Sequence, residues 1–350
     1  MAGNYENQKK LKLRQKIQEI ANELPEFTQE FFTYCSSTKN YSMRTTLNYA
    51  SDIRIFFRYL SKQNPILRGD MKNITLDFID QLRPQDIQEY LKDIEIYEQN
   101  GTAYANGECG KARKIASLRS FYKYYYSMGL IKNNPSSIIS APKMHKKNVV
   151  HMDRSESDDL IKSMENQSGL TSKQLLFSQK SYYRDLAIVT LLLGTGIRVS
   201  ECVGINLSDI NWKNRSIRIL RKGGNESTVY FNEDVEQRLN DYIELERKSP
   251  QEDSDALFIS RNETRITVRS VQRMVKKYTQ NAVPQKRITP HKMRSTYGTN
   301  LYLESNDIYL VADALGHSSL NVVQRYADIG DERRQKASEI TNWTHTVDEE

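Results

Sequence analysis

Two pairs of side chains, each spaced three residues apart, include a cation of the type that grips an anion. Arg198 and Glu201 lie in Gly194-Thr195-Gly196-Ile197-Arg198-Val199-Ser200-Glu201, where an apolar stretch ends at glycines and a new helix is expected to begin. Spacing of i,i+3 would put both on one helical face. That reads either as a surface salt bridge or as an arginine held by a glycine turn to grip a phosphate. In Thr289-Pro290-His291-Lys292-Met293-Arg294, Pro290 fits a helix start and His291 and Arg294 share a face. The positive end of a helix dipole favours an anion there, although such residues also serve as plain caps. A third cluster is His317 in Leu315-Gly316-His317-Ser318-Ser319, followed nine residues later by Tyr326. Taken alone, one of 21 tyrosines reads as amphipathic packing. No HExxH, paired DxD or CxxC offers metal-ligand spacing, and no Walker A sequence is present, so neither a metal nor a nucleotide cofactor is expected.

These clusters need a scaffold, and 350 residues favour two domains, each able to bury a core. The first 140 residues read as helices, with Leu47, Ile53, Phe56, Phe57 and Leu60, then Ile115, Leu118, Phe121, Tyr122 and Tyr125, at helical spacing. Pro84 opens a helix expected to run to about Tyr97, and Asn100-Gly101 to Gly110 reads as a loop. A four-helix unit over 1–141 is therefore expected, then a basic extended linker over 142–154 carrying Lys143, Lys146 and Lys147. The second domain, 155–341, should be mostly α. Its small β element pairs Ser216 to Leu220 with Ser227 to Phe231 around a Lys222-Gly223-Gly224-Asn225 turn. A tail over 342–350 follows a short amphipathic helix, Asp331 to Ile340. The charge of +7, 51 Lys+Arg against 44 Asp+Glu, fits a polyanionic partner without requiring one. Three widely spaced cysteines point to a reducing compartment, and the apolar run Leu186 to Leu193 is too short to span a bilayer, so a cytoplasmic chain is expected.

The order and separation of the clusters resemble the tyrosine recombinase (phage integrase) family over roughly Tyr183 to Ile340. On that resemblance Arg198, Lys222, His291, Arg294, His317 and Tyr326 match the catalytic positions, with Tyr326 as nucleophile, and Glu201 matches the acidic residue accompanying the first arginine. The resemblance implies a SAM-like core-binding domain followed by the mostly α DNA breaking-rejoining fold. It extends less sharply to the first domain, through Thr46-Leu47, Tyr49, Phe56-Phe57, Leu118, Phe121-Tyr122 and Asn134-Pro135. Ser295 departs from the pattern, since many relatives carry a second histidine there.

The implied activity is metal- and ATP-independent strand exchange through a 3′-phosphotyrosine and a Holliday junction. Two arginines and a histidine would stabilise charge building on the phosphate oxygens, and Lys222 would protonate the leaving oxygen. The implied partners are double-stranded DNA with paired inverted half-sites and a homotetramer assembled through the C-terminal helix, with a second recombinase or a DNA translocase as further candidates. Lys111, Arg113, Lys114, Arg119, Lys143, Lys146 and Lys147 are the expected DNA contacts. Only about 40 residues precede the Tyr41-to-Leu60 helix, which favours a Xer-type enzyme resolving chromosome dimers at a dif-like site, associated with a bacterial nucleoid. A transposon or phage integrase, a non-cleaving DNA-binding accessory protein and a relaxing topoisomerase are the alternatives.

Overall fold

The computed structural model describes residues 2–99, 102–143, 145, 149–167, 180–221, 224–248, 255–316, 323, 324 and 326. The chain divides into two compact units, Met1–Lys146 and Lys147–Glu350. The first is helical: α1 (Ala2–Glu23), α2 (Thr28–Thr33), α3 (Met43–Gln63), α4 (Leu76–Asp80), α5 (Pro84–Asp93) and α6 (Glu108–Ser127). Its long helix α3 starts where Ser42 Oγ accepts the Thr45 amide at 3.1 Å, and α1 and α6 both pack against it. The apolar spacing read from the sequence becomes an aromatic core. Phe121 is fully buried, its ring 5.4 Å from Phe31, 5.7 Å from Phe57 and 4.8 Å from Tyr125. Most of these pairs meet edge to face, the arrangement that ring quadrupoles prefer.

One stretch differs from the expectation. Helix α5 ends at Asp93, and β1 (Ile96–Gln99) and β2 (Thr102–Ala105) form an antiparallel pair where a helix end and a loop were read. An Asn-Gly pair between the short runs Ile-Tyr-Glu-Gln and Thr-Ala-Tyr-Ala is the two-residue link that hairpins favour, and it outweighs the helical spacing upstream.

The second unit is built around α8 (Tyr182–Thr195), whose Leu186, Ala187, Ile188, Val189, Leu191 and Leu192 are all buried. A helix apolar on every side belongs inside, and α7 (Arg154–Glu165), α10 (Glu233–Leu245) and α12 (Pro290–Ser305) surround it. Between α9 (Val199–Cys202) and α10 lies an antiparallel sheet in the order β3 (Ile210–Asn211), β4 (Ser216–Leu220), β5 (Glu226–Tyr230). Ile217 faces Val229 across it; both are buried with Ile219, while Arg218 points outward, the alternation expected of a sheet with one face on the core. Helices α11 (Val268–Ala282), α12 and α13 (Ile308–Leu315) follow among the described residues. The mostly α architecture with a small antiparallel sheet is thus as read from the sequence. Lys146, Lys147, Lys222, His317 and the Asp331-to-Ile340 helix lie outside the described residues.

Phe121→Ala should empty the centre of the first unit and destabilise it by about 3–5 kcal/mol, read from the midpoint of denaturant unfolding.

Candidate active site

Helix α8 stops at Gly196, which adopts φ +62° and returns its amide to Leu192 O. No side chain fits there: a Cβ would stand 2.4 Å from Tyr297 Cδ1. Two residues on, Arg198 is the extended residue that opens α9, so Arg198 and Glu201 do not sit side by side on a helical face as the spacing suggested. Instead the carboxylate of Glu201 reaches back, accepting the Arg198 amide at 2.8 Å through Oε2 and Nη1 at 2.8 Å through Oε1. Glu201 is buried and Arg198 is one-third exposed, so a buried anion steadies a cation that keeps an open edge. Among the described residues the Arg198 side chain hydrogen-bonds to no group but Glu201.

Arg294 is 2% exposed, on the second turn of α12. A buried guanidinium is stable only if its donors are satisfied. Nη1 donates to Gly196 O at 2.6 Å and Nη2 donates to Leu315 O. Both acceptors belong to helix C-termini, the ends of α8 and α13, where carbonyls lack intrahelical partners and the dipole is negative. Each helix ends in a left-handed glycine, Gly196 and Gly316. Burial pushes the Arg294 guanidinium down to about 10, with Arg198 and Arg221 adding like-charge pressure and Glu201 and Tyr326 opposing it. It therefore stays protonated at neutral pH, and Arg198, Glu201, Tyr326 and Arg221 all lie within electrostatic reach of it.

Tyr326 is fully buried, packed with Tyr302, Val311, Ala312, Leu315 and Val323. Its ring lies over Gly298, one turn beyond Arg294 on α12, where an added Cβ would be 3.4 Å from Cε1 and Cζ of the ring and 2.9 Å from Leu315 Cδ1. His291 sits in the first turn of the same helix, exposed, behind the cap in which Thr289 Oγ1 accepts the Lys292 amide. Ser295, at the position noted as a departure, is buried and donates to His291 O at 3.2 Å, so its hydroxyl is satisfied locally. Of the six residues singled out for chemistry, the fold gathers Arg198, Arg294 and Tyr326 and sets His291 at the start of the helix that carries Arg294. Among the described residues no group of His, Cys, Asp and Glu side chains is placed to hold a metal ion.

Both units match known proteins. Residues 151–333 match the phage integrase family, and residues 28–129 match the phage integrase N-terminal SAM-like domain. Tyrosine recombinase XerC of Caldanaerobacter subterraneus is 33% identical, covering 89% of this chain and 86% of that one. The XerC of Listeria welshimeri is 30% identical, over 86% of this chain and 92% of its own. The chain belongs to the phage integrase family. It is a tyrosine recombinase, a DNA strand-transferring enzyme of the Xer type. The fold agrees with the solved XerH site-specific recombinase bound to a palindromic difH substrate, with a TM-score of 0.66 at 20% identity, covering 93% of this chain and 89% of that one.

The basic residues expected to meet DNA in this recombinase are largely engaged within the first unit. Lys114 is buried, its ammonium 3.3 Å from Asn106 Oδ1 and 4.0 Å from the buried carboxylate of Asp52, so its charge is engaged inside the unit. Burial lowers its pKa, partly offset by Asp52. Arg113 pairs with the same Asp52, Lys111 lies 3.2 Å from Glu95, and Arg119 donates to Ile139 O. Lys143 is exposed, whereas Lys146 and Lys147 are outside the described residues. A different set was overlooked in the sequence. Arg269, Arg273 and Lys276 recur along α11 at spacings of four and three, all exposed and without an ion-pair partner among the described residues, while Val271, Met274, Val275 and Tyr278 face the core. The readable signal was a basic stripe opposite an apolar one.

Gly298→Ala would place a methyl 2.9 Å from Leu315 Cδ1 and in van der Waals contact with the Tyr326 ring, so the Leu315 side chain must give way and the seat of the ring shifts with it. We expect a loss of about tenfold or more in covalent adduct formation on a nicked suicide duplex, with DNA affinity unchanged, since misplacing a reacting atom by about 1 Å costs about that or more.

Proposed function

We propose that this recombinase cuts DNA by attack of the Tyr326 phenolic oxygen on a backbone phosphorus, breaking the bond to the 5′-oxygen and forming a 3′-phosphotyrosine. The observation that carries the reading is the packing of the Tyr326 ring on the helix of Arg294, within electrostatic reach of that guanidinium. Arg198 and Arg294 are assigned to the non-bridging oxygens, on which negative charge accumulates as phosphorus is attacked. Their planar donor forks suit two phosphate oxygens. A free phenol, with an ordinary pKa of about 10, is a weak nucleophile near neutrality, and surrounding cations favour its anion. His291 is assigned to accept the phenolic proton, and Lys222 to deliver one to the departing 5′-oxygen. The ester keeps the energy of the original bond, so a 5′-hydroxyl from a second duplex reverses the step without ATP. Two such exchanges pass through a Holliday junction.

Tyr326 is closed off from solvent, so productive binding requires its segment to move when DNA is engaged. The exposed basic face of α11 is assigned to DNA, together with Lys143. The XerC relatives favour chromosome dimer resolution at a dif-like site over a transposon or phage role. The working form would then be a cyclic homotetramer on two duplexes with inverted half-sites, joined through the C-terminal helix, in the bacterial cytoplasm at the nucleoid. A non-cleaving accessory role is disfavoured by the retained tyrosine and both arginines.

The target can be recovered by selecting, from a randomised duplex library, sequences that trap the protein covalently; half-sites of roughly one helical turn are expected. On a nicked duplex of that sequence the wild type should form an adduct stable to denaturant, and Tyr326→Phe should form none. A Tyr326→Phe protein that still became attached would remove the assigned nucleophile. Adduct yield should not fall on adding a metal chelator. Changing Arg269 or Arg273 to Ala should weaken binding similarly across sequences and lower the slope of log K against log salt by about 1.

A further inference from the structure

The arginine at the end of β4 makes a contact that the proposed chemistry leaves unassigned. Arg221 precedes Lys222 in the chain, and the backbone around it closes the hairpin: its amide donates to Asn225 O at 2.8 Å and its carbonyl accepts the Gly224 amide at 3.1 Å. Its side chain leaves the sheet altogether. Nη1 donates to Leu315 O at 2.6 Å and Nη2 to Ala314 O at 3.5 Å, so the guanidinium caps the C-terminus of α13, ninety-four residues away in sequence. Leu315 O is also the acceptor for Arg294 Nη2. The guanidinium lies directly over Gly316, where a Cβ would stand 1.9 Å from Nη1. That glycine therefore does more than supply its φ of +60°: it leaves the space that Arg221 occupies.

We propose that Arg221 is a positioning residue for strand cleavage, clamping the stem of the β4–β5 turn to the helix end that also holds Arg294. The inference rests on the assignment of Lys222 as general acid. A lysine is a flexible four-carbon arm, so its reach to a given oxygen is set first by where its backbone is held. A stem fixed at the carbonyl shared with Arg294 ties the residue that delivers the proton to the residue that holds the phosphate. The forked guanidinium suits the task because it addresses two successive carbonyls at once, which a single ammonium does less well.

Leaving-group chemistry separates this role from general support of the fold. An oxygen leaving group needs a proton, whereas a 5′-bridging sulfur departs as a thiolate, whose conjugate acid has a pKa of about 8.5, and needs none. The probes are two nicked suicide duplexes of the selected site, one with the natural 5′-oxygen and one with 5′-sulfur at the scissile phosphate. Arg221→Ala and Arg221→Lys should cleave the oxygen duplex about 10–100-fold more slowly than wild type, yet approach the wild-type rate with sulfur. Gly316→Ala should behave alike, and should add little to the leaving-group defect in an Arg221→Ala background. Arg294→Ala, which loses a phosphate contact, should remain slow on both. Unfolding midpoints and DNA affinity are measured alongside.

Arg221→Ala cleaving the oxygen duplex at the wild-type rate would overturn the proposal, as would a defect that persists with sulfur in a folded, DNA-binding variant. If the wild type forms no adduct, or if Lys222→Ala is not rescued by sulfur, the assignment of the chemistry itself fails and takes this inference with it. Rescue of Lys222→Ala without rescue of Arg221→Ala would sink the clamp alone.

Discussion

A guanidinium suspended between two helix ends organises the second unit of this recombinase. Arg294 is almost wholly removed from water, and what makes that tolerable is a pair of carbonyls left over where α8 and α13 stop. The dependence runs in both directions. The cation satisfies acceptors that the helices cannot, and the helices must terminate abruptly, in left-handed glycines, for those acceptors to face it. Gly196 sends the chain on to Arg198, and Gly316 leads towards the segment bearing Tyr326. Two left-handed turns are thereby fixed around one charge.

The sequence made much of this legible, for identifiable reasons. Glycines after an apolar run, and Pro290 ahead of His291 and Arg294, are local signals of where helices stop and start, and the chemistry-bearing residues cluster at those junctions. The apolar spacing in α3 and α6 was equally plain, because their buried residues, Ile53, Phe56, Phe57 and Leu60 and then Leu118, Phe121, Tyr122 and Tyr125, recur three and four apart. Roles that depend on distant partners were harder to read. The i,i+3 spacing of Arg198 and Glu201 suggests neighbours on a helix; the structure shows a cap in which the carboxylate holds both the amide and the guanidinium of Arg198. Nothing near Arg294 in sequence announces acceptors at positions 196 and 315, nor does anything near Arg221 point to Ala314.

Surface charge was the least legible property. A lysine on a helix looks the same in sequence whether it faces DNA or a buried carboxylate, and Lys114 faces Asp52, from a helix far along the chain. The basic residues of α6 read as a helix face turned to DNA, yet such a cluster also arises where a core carries an acid that must be neutralised. Along α11 the cations coincide with a face from which apolar residues are absent, and that separation distinguishes a solvent-facing stripe from internal pairing. The hairpin of the first unit teaches a related lesson, since two residues, Asn100 and Gly101, outweighed a longer helical pattern beside them.

The enclosure of Tyr326 among aliphatic and aromatic carbons bears on how such an enzyme coexists with a chromosome. A molecule scanning nonspecific DNA passes vast numbers of phosphodiesters, any of which an uncovered phenol beside two arginines would be equipped to attack. On the proposed assignment of Tyr326 as nucleophile, keeping the ring stowed would make those encounters chemically silent, so that protection of the genome would not rest on base reading alone. Whatever frees the hydroxyl would then multiply with sequence recognition, and an accidental nick would require both safeguards to lapse together.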